Sequence, residues 1–368
     1  MREWVATEVI GRVGFITLNR PKALNALSLS MVRGLYQALV TWQSDSNVEA
    51  VAIRGSDKHG AFGGFCAGGD IRFFHAAAQD GNPELEDFFT EEYALNHLIH
   101  NYPKPYLAFM DGVVMGGGMG ISQGASLRLV TERTRMAMPE TQIGLFPDVG
   151  GGYFLSRCPG HCGEWLALTG TVIDGAAAVA LGLADRYLPS SALQSTWAAL
   201  SDPDLAQGRT GADGIAHCLN GFATEPQPAS LPLAQINRHF SLPAIADIFV
   251  SLRQDADEWA QSTLAILQKR SPLMLHVTLE QIRRARTMQL ADDLRMERSM
   301  VRHCFYPAHL ERNAKSSETV EGIRALAVDK DHRPVWNPPH IDDVTPQMVA
   351  PFFESPWPAG RHPLAGLA

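Results

Sequence analysis

Two runs near the start of the chain alternate between apolar and polar residues. Val5, Thr7 and Val9 lead into Gly11-Arg12, and Val13, Phe15 and Thr17 follow it. Period-two alternation on either side of a glycine-containing pair predicts a β-hairpin over residues 3–18. The period then lengthens. Met31, Leu35, Leu39 and Trp42 recur at helical spacing within Ser28–Gln43, and Ala50–Arg54 follows as a buried strand. Helix followed by buried strand is the pattern of a parallel sheet. The alternation repeats with a glycine-rich loop Gly63–Asp70, a helix over residues 84–101 and a strand Tyr106–Met110. Leu127–Thr131 and Arg135–Met138 read as short strands, Leu166–Leu181 as a helix broken at Gly170, and Asp185–Leu188 as a last strand.

From residue 201 to 232 the periodicity fades into Asp, Gly, Pro, Gln and Ser, which predicts a long surface connection with one short helix. Residues 233–335 return to helical spacing. Ser271-Pro272 supplies an N-cap with proline at the first helical position, and Leu275, Leu279 and Ile282 share one face. Residues 336–368 are proline-rich and expected to run extended over the surface. The organisation expected is an α/β core over 1–200, the connection, a helical C-terminal region and a tail.

Composition narrows the classes of function. With 368 residues at 45% hydrophobic the chain can bury a large core, and a net charge of −8 without a basic run excludes the footprint of a nucleic-acid binder. No stretch reaches the roughly 18–20 apolar residues of a membrane helix, and MREWVATEVI lacks a signal-peptide layout, so no membrane partner and a cytoplasmic location are expected. Five scattered cysteines argue against a disulfide framework. Cys158-Pro-Gly-His-Cys162 is half of a metal site without a second half, so no metal is expected.

The chemistry concentrates in Met110–Tyr153. Two glycine clusters, Gly116–Gly120 and Gly150–Gly152, flank two carboxylates in apolar company, Glu140 and Asp148. Clustered glycines let backbone N–H groups approach a ligand, and a carboxylate among apolar neighbours is a candidate acid or base. Asp148 precedes three glycines and reads as a helix N-cap. Gly120-Ile-Ser-Gln-Gly124 matches a nucleophile elbow, but three glycines and a methionine stand where a strand is required, so Ser122 reads as helix packing. Neither cluster fits a nucleotide-binding motif. His97 and His100, one helical turn apart without an acidic partner motif, read as surface residues. The loops Phe65–Asp70 and Gly116–Gly118 could each offer an N–H to an oxyanion, or their glycines could serve strand–helix packing alone. On the residues themselves both readings stand.

FCAGGDI, MDGVVMGGGMGIS, MPETQIGLFPDVGGGYFLSR and LTGTVIDGAAAVALGLAD, in that order, resemble the crotonase (enoyl-CoA hydratase/isomerase) superfamily. EGIRALAVDKDHRPVW extends the resemblance over nearly the whole chain, and EEY at residues 91–93 points to the hydrolase subgroup. The resemblance implies an α/β crotonase-type ββα spiral core with a helical C-terminal region. It implies an oxyanion hole from the N–H groups of Gly69 and Gly117, with Gly116 beside them. Asn19–Ala26 and Ala67, Gly68, Gly69, Asp70 and Ile71 are implied to line a CoA channel. The hydratase pattern uses two glutamates; this chain has Gly120 at the first position and Glu140 at the second, with Asp148 where the hydratase has a glycine. The implied activity is hydrolysis of a short 3-hydroxyacyl-CoA, 3-hydroxyisobutyryl-CoA in valine breakdown, with Glu140 as base or nucleophile, Asp148 assisting and Glu92 binding the substrate hydroxyl. CoA is part of the substrate, no other cofactor is implied, and a homo-oligomer, trimer or hexamer, fits the wider family. Hydration or isomerisation of an enoyl-CoA, or acyl-CoA binding without catalysis, are the competing readings.

Overall fold

The computed structural model describes residues 4–201, 214, 215, 219 and 221–368. These pack as two compact units, each assembled from separated stretches: Met1–Gly69, Leu95–Met136 and Val172–Leu231 form the first, and Asp70–Ala94, Ala137–Thr171 and Pro232–Ala368 the second.

The first unit is organised on a seven-stranded sheet. β1 (Val5–Ile10) and β2 (Val13–Leu18) form the predicted hairpin, with Val5 opposite Leu18 and Gly11 at φ 57, the left-handed conformation that a tight hairpin turn requires. β2 then pairs in parallel with β3 (Ala50–Asp57), and β4 (Gly60–Ala61) folds back on β3. β5 (Tyr106–Met110), β7 (Leu127–Val130) and β9 (Arg186–Tyr187) extend the parallel order beyond β3. Between them β6 (Val113–Met115) and β8 (Arg135–Ala137) make a separate two-stranded sheet. The chain therefore steps from large sheet to small sheet to helix, the strand–strand–helix repeat.

The predicted helix at Ser28 runs Leu29–Ser44, with the Ser28 hydroxyl accepting from the Met31 N–H. Val13, Phe15, Ala52, Leu107, Phe109 and Leu129 bury one sheet face against Leu193, Trp197 and Leu200. Ile215 and Leu219, within the expected surface connection, join that core, and most of the 202–220 stretch lies outside the described residues. The four described cysteines, Cys66, Cys158, Cys162 and Cys304, are buried and form no disulfide among the described residues. Among the described residues no helix is long and apolar enough to cross a membrane.

The second unit is mainly helical. Its helices include Ile71–Asp80, the start of Glu84–His100, Cys162–Thr169, Pro272–Ala285 and Leu290–Phe305. Ser271 caps the fourth of these by accepting from Met274 N–H, as its sequence predicts.

Two features of this unit go beyond the sequence pattern. Residues 71–80 form a helix where the spacing predicts no element; Asp70, at the end of the predicted glycine loop, caps it by accepting from Phe73 N–H at 3.3 Å. The tail is not merely extended. It makes short turns at Ile341–Asp343 and Ala350–Phe353 around a one-turn helix, and Phe352 and Leu364 are buried. Apolar anchors spaced between prolines dock a chain that proline alone would leave extended. Arg284 stacks 4.2 Å from the Phe353 ring, and Arg295 donates to the Leu364 carbonyl at 3.2 Å.

Candidate active site

The predicted site residues divide between the units. In the first, Asn25 organises the Phe65–Gly69 loop: its fully buried Nδ2 donates to the carbonyls of Ser56, Gly64 and Phe65 at 2.8, 2.9 and 3.1 Å. Ala67 N–H donates to Leu24 O and Leu27 N–H to Gly68 O, so the loop lies against residues 24–27. Asp111 anchors the other strand of the site, taking Gly63 N–H at 2.6 Å, Thr131 Oγ1 at 2.6 Å and the Arg133 guanidinium. These polar anchors escape a reading based on periodicity, since nothing in their spacing marks them.

The two glycine loops meet edge to edge. Cys66 N–H donates to Val113 O and Met115 N–H to Cys66 O, which bridges them. Gly68 has φ +105, and a Cβ there would lie 3.5 Å from Gly117 N. A Cβ on Gly118 would fall 2.3 Å from the Cys66 carbonyl oxygen, so that glycine serves close packing. Gly116, at φ 48, precedes the Gly117–Gln123 helix. The N–H groups of Gly69 and Gly117 have no acceptor among the described residues. Packing and donor availability, alternatives in the sequence, thus belong to different glycines of one cluster. Ser122 donates back to the Gly118 and Met119 carbonyls at 2.8 and 3.2 Å inside its helix, as helix packing requires.

In the second unit three carboxylates converge. Glu92 lies on the Glu84–His100 helix, Glu140 opens the 3-10 turn Glu140–Ile143, and Asp148 follows Pro147; their exposures are 2%, 6% and 6%. Burial raises the Glu140 carboxyl well above its ordinary range, and the Asp148 charge raises it further. Burial, then Asp148 and Glu140, does the same to Glu92. Asp148 is pushed up to about 6 by burial, restrained by the Tyr93 hydroxyl, which donates to its Oδ2 at 2.7 Å. Glu92 Oε1 and Glu140 Oε2 are buried without a hydrogen-bond partner among the described residues. Such atoms are costly unless a ligand completes them.

The Glu140 turn is held from several sides. Thr141 Oγ1 donates to Leu168 O at 3.1 Å, and Thr319 Oγ1 to Gly144 O at 2.7 Å. Gly144 has φ +66 and Gly322 sits against Ile143, where a Cβ would come within 2.3 Å of backbone. The EGIRALAVDKD segment thus supports the turn, while its Arg324 is neutralised by Glu321, Asp329 and Asp331.

Asp148 is not the helix cap its position suggested. Gly150 is the cap of the Gly151–Leu155 helix and offers no side chain. The N–H groups of Gly150 and Gly152 instead donate to Glu297 Oε2 and Oε1 at 2.7 and 2.9 Å, and Tyr153 N–H donates to Asp293 Oδ2 at 2.8 Å. Gln281 Nε2 joins Pro147 O at 2.7 Å to Glu297 Oε1 at 3.0 Å. Because those acceptors come from 140 residues and more along the chain, the Asp148 side chain is released to Tyr93. Tyr93, Gln281, Asp293 and Glu297 were not foreseen. The only available signal was the i, i+4 spacing of two acids, Asp293 and Glu297, on a helix otherwise rich in buried apolar residues.

A profile of the enoyl-CoA hydratase/isomerase family matches residues 13–353, and the chain belongs to that family. Among curated relatives it is 39% identical over 354 residues to a mitochondrial 3-hydroxyisobutyryl-CoA hydrolase of Xenopus tropicalis, covering 94% of this chain and 87% of the relative. It is 38% identical over 364 residues to 3-hydroxyisobutyryl-CoA hydrolase 1 of Arabidopsis thaliana, covering 95% and 91%. Among solved structures, a carnitinyl-CoA dehydratase from Mycobacterium thermoresistibile matches with a TM-score of 0.85 at 39% identity, covering 98% of each chain. An enoyl-CoA hydratase from Rhodobacter sphaeroides matches at 0.82 and 33%, covering 96% and 98%. These neighbours bear out the α/β crotonase-type fold, and their names span hydrolase, dehydratase and hydratase.

Proposed function

We propose that this chain hydrolyses the thioester of a short β-hydroxylated acyl-CoA, with 3-hydroxyisobutyryl-CoA, the substrate in the names of its curated relatives, as the preferred one. The observation that carries this reading is the buried, unpartnered Glu140 Oε2 beside Asp148 and Glu92, in a chain with Gly120 where the hydratase pattern has its other glutamate. Hydration in the hydratase manner uses two carboxylates on water and proton, and here that pair is replaced by Glu140 with Asp148.

Burial raises both carboxyls and the Asp148 charge raises Glu140 further, which favours a state in which the pair shares a proton, as like charges at close range do not both ionise freely. Thioester cleavage needs both forms. The carboxylate activates water at the acyl carbon, or attacks that carbon itself to form an anhydride that water then opens. The C–S bond breaks, and the shared proton leaves on the CoA sulfur. In this reading Glu140 supplies the reacting oxygen, since Asp148 Oδ2 is held by Tyr93. Glu92 Oε1 takes the substrate hydroxyl, and the Gly69 and Gly117 N–H groups receive the oxyanion. Gly116, Ala67, Gly68, Asp70 and Ile71 contact the CoA thioester arm. No metal or redox cofactor takes part, so chelation leaves the rate unchanged. A trimeric or hexameric homo-oligomer belongs to the same reading, and a monomeric mass by light scattering removes that part.

Thiol release over a panel of acyl-CoAs tests the reaction. Release from 3-hydroxyacyl-CoAs is expected, whereas loss of enoyl absorbance without thiol release would assign hydration instead. Glu140→Gln is expected to lower thiol release by roughly 10²–10⁴-fold, the usual worth of a positioned acid or base, while CoA binding persists. Single turnover in ¹⁸O-water tests the anhydride route: label in Glu140 marks attack by the carboxylate with water opening the anhydride at the Glu140 carbonyl, whereas label in the product acid alone leaves activated water or opening at the acyl carbonyl, which trapping of the anhydride with hydroxylamine separates.

A further inference from the structure

The turn that presents Asp148 is conformationally unfavourable by itself. Val149 has φ 57, a region that β-branched residues avoid, and Gly150 has φ 85. The following helix has five residues and its cap position carries no side chain, so the turn's own bond, Gly151 N–H to Asp148 O at 2.8 Å, is not reinforced by a local side-chain cap. Reinforcement comes from the Pro272–Ala285 and Leu290–Phe305 helices: Glu297 takes the N–H groups of Gly150 and Gly152, Asp293 takes that of Tyr153, and Gln281 ties Pro147 O to Glu297. Both acids are fully buried. The fit leaves no slack, because a Cβ on Gly152 would lie 2.4 Å from Asp293 Oδ1.

A carboxylate at position 297 has a specific advantage. It has two oxygens, one for each glycine N–H, with Oε1 also receiving Gln281, and is acceptor-only when ionised; burial and the Asp293 charge raise its pKa, while the two glycine N–H bonds oppose that rise by favouring the carboxylate. An amide of the same shape offers one oxygen and turns an NH₂ toward the second N–H. Two donors then face each other in a buried site.

We propose that Glu297, supported by Asp293, is a positioning residue: it holds the strained Pro147–Gly152 turn so that Asp148 stays hydrogen-bonded to Tyr93 and beside Glu140. The kinetic part rests on the hydrolase reading above, and the structural part does not. A cap with a purely architectural role would lower the melting temperature and leave turnover by the folded protein unchanged. A positioning role lowers kcat at temperatures where the variant is fully folded.

Glu297→Gln is expected to reduce kcat for thiol release by about 10²-fold, the scale of an ångström-sized misplacement of a reacting group, with KM little changed. Glu297→Asp, which keeps two acceptor oxygens on a shorter arm, should recover part of that loss. Crystal structures of the native protein and Glu297→Gln should show the Asp148 carboxylate displaced from the Tyr93 hydroxyl in the variant. Unchanged kcat, a loss confined to KM, or Asp148 still bonded to Tyr93 in the variant overturns the proposal. If Glu297→Gln does not fold, Asp293→Asn, which keeps one acceptor for Tyr153 N–H, is judged by the same kcat and displacement criteria, with a smaller loss expected. Absence of thiol release by the native protein from every acyl-CoA would remove the hydrolase reading, and the crystallographic comparison would still decide the positioning role.

Discussion

The glycine clusters at 116–120 and 150–152 look alike in sequence, and each opens a short helix whose first N–H groups have no partner within the helix. In the first cluster Gly117 N–H remains without an acceptor among the described residues, as does Gly69 N–H in the loop beside it. In the second, Gly150 and Gly152 give theirs to Glu297. One cluster leaves a donor without an acceptor among the described residues, and the other uses its donors to brace the backbone behind Asp148. Absence of side chains serves both ends: in the first it admits the Cys66 carbonyl against Gly118, in the second the Asp293 carboxylate against Gly152. A glycine run therefore reports close approach by something, and only the approaching group tells its purpose.

Gly117→Pro is the most severe test of that contrast. Gly117 is the first residue of its helix, where proline is tolerated by the backbone; the substitution removes the N–H and sets a ring in its place beside Gly68. Thiol release is expected to fall by about 10²–10³-fold, as for loss of one oxyanion donor. A variant with native turnover would return the first cluster to packing alone. In the second cluster, Gly152→Ala should instead act first on stability, by about 1–3 kcal/mol from overpacking against Asp293, measured by denaturant unfolding. Unchanged stability there would mean that the brace is loose.

A smaller effect is expected in the pH dependence of stability. Asp148 is raised to about 6, so its proton is held more tightly in the folded than in the unfolded chain. The resulting stabilisation is fully present below the unfolded pKa near 4 and is lost as pH rises through about 6, at up to about 1.4 kcal/mol per pH unit. Asp148→Asn should flatten that part of the stability profile between pH 4 and about 7. An identical slope in variant and native protein would assign the dependence to other groups, such as Asp293. Ser122→Ala should matter least: its hydroxyl only returns to its own helix, so turnover should stay native while stability falls by about 1 kcal/mol. A large loss of turnover would reopen the nucleophile-elbow reading.

Much of the fold was legible because its signals are local. The hairpin at Gly11-Arg12, the Ser28 and Ser271 caps, and the apolar strands at 50 and 106 follow from periodicity and cap chemistry within a few residues. The helix at 71–80 was missed since its cap also ends a glycine loop, and a residue can do both. Glu92, Glu140 and Asp148 were singled out from motif resemblance and apolar surroundings, and the structure buries all three in one unit. Tyr93 entered only as the last letter of the EEY motif, which gives it no role of its own, although its hydroxyl fixes Asp148.

By itself the sequence determined most of the element types, the family and the candidate acids Glu92, Glu140 and Asp148, because propensity, spacing and motif order are properties of neighbouring residues. Tertiary structure decided which of these acids is bonded to backbone and which is not. Glu140 keeps a bare, buried oxygen, whereas Glu297, buried more completely, has both of its oxygens bonded to backbone N–H groups. That distinction depends on hydrogen-bond partners 145 and 147 residues apart, and no local pattern encodes a partner at that separation.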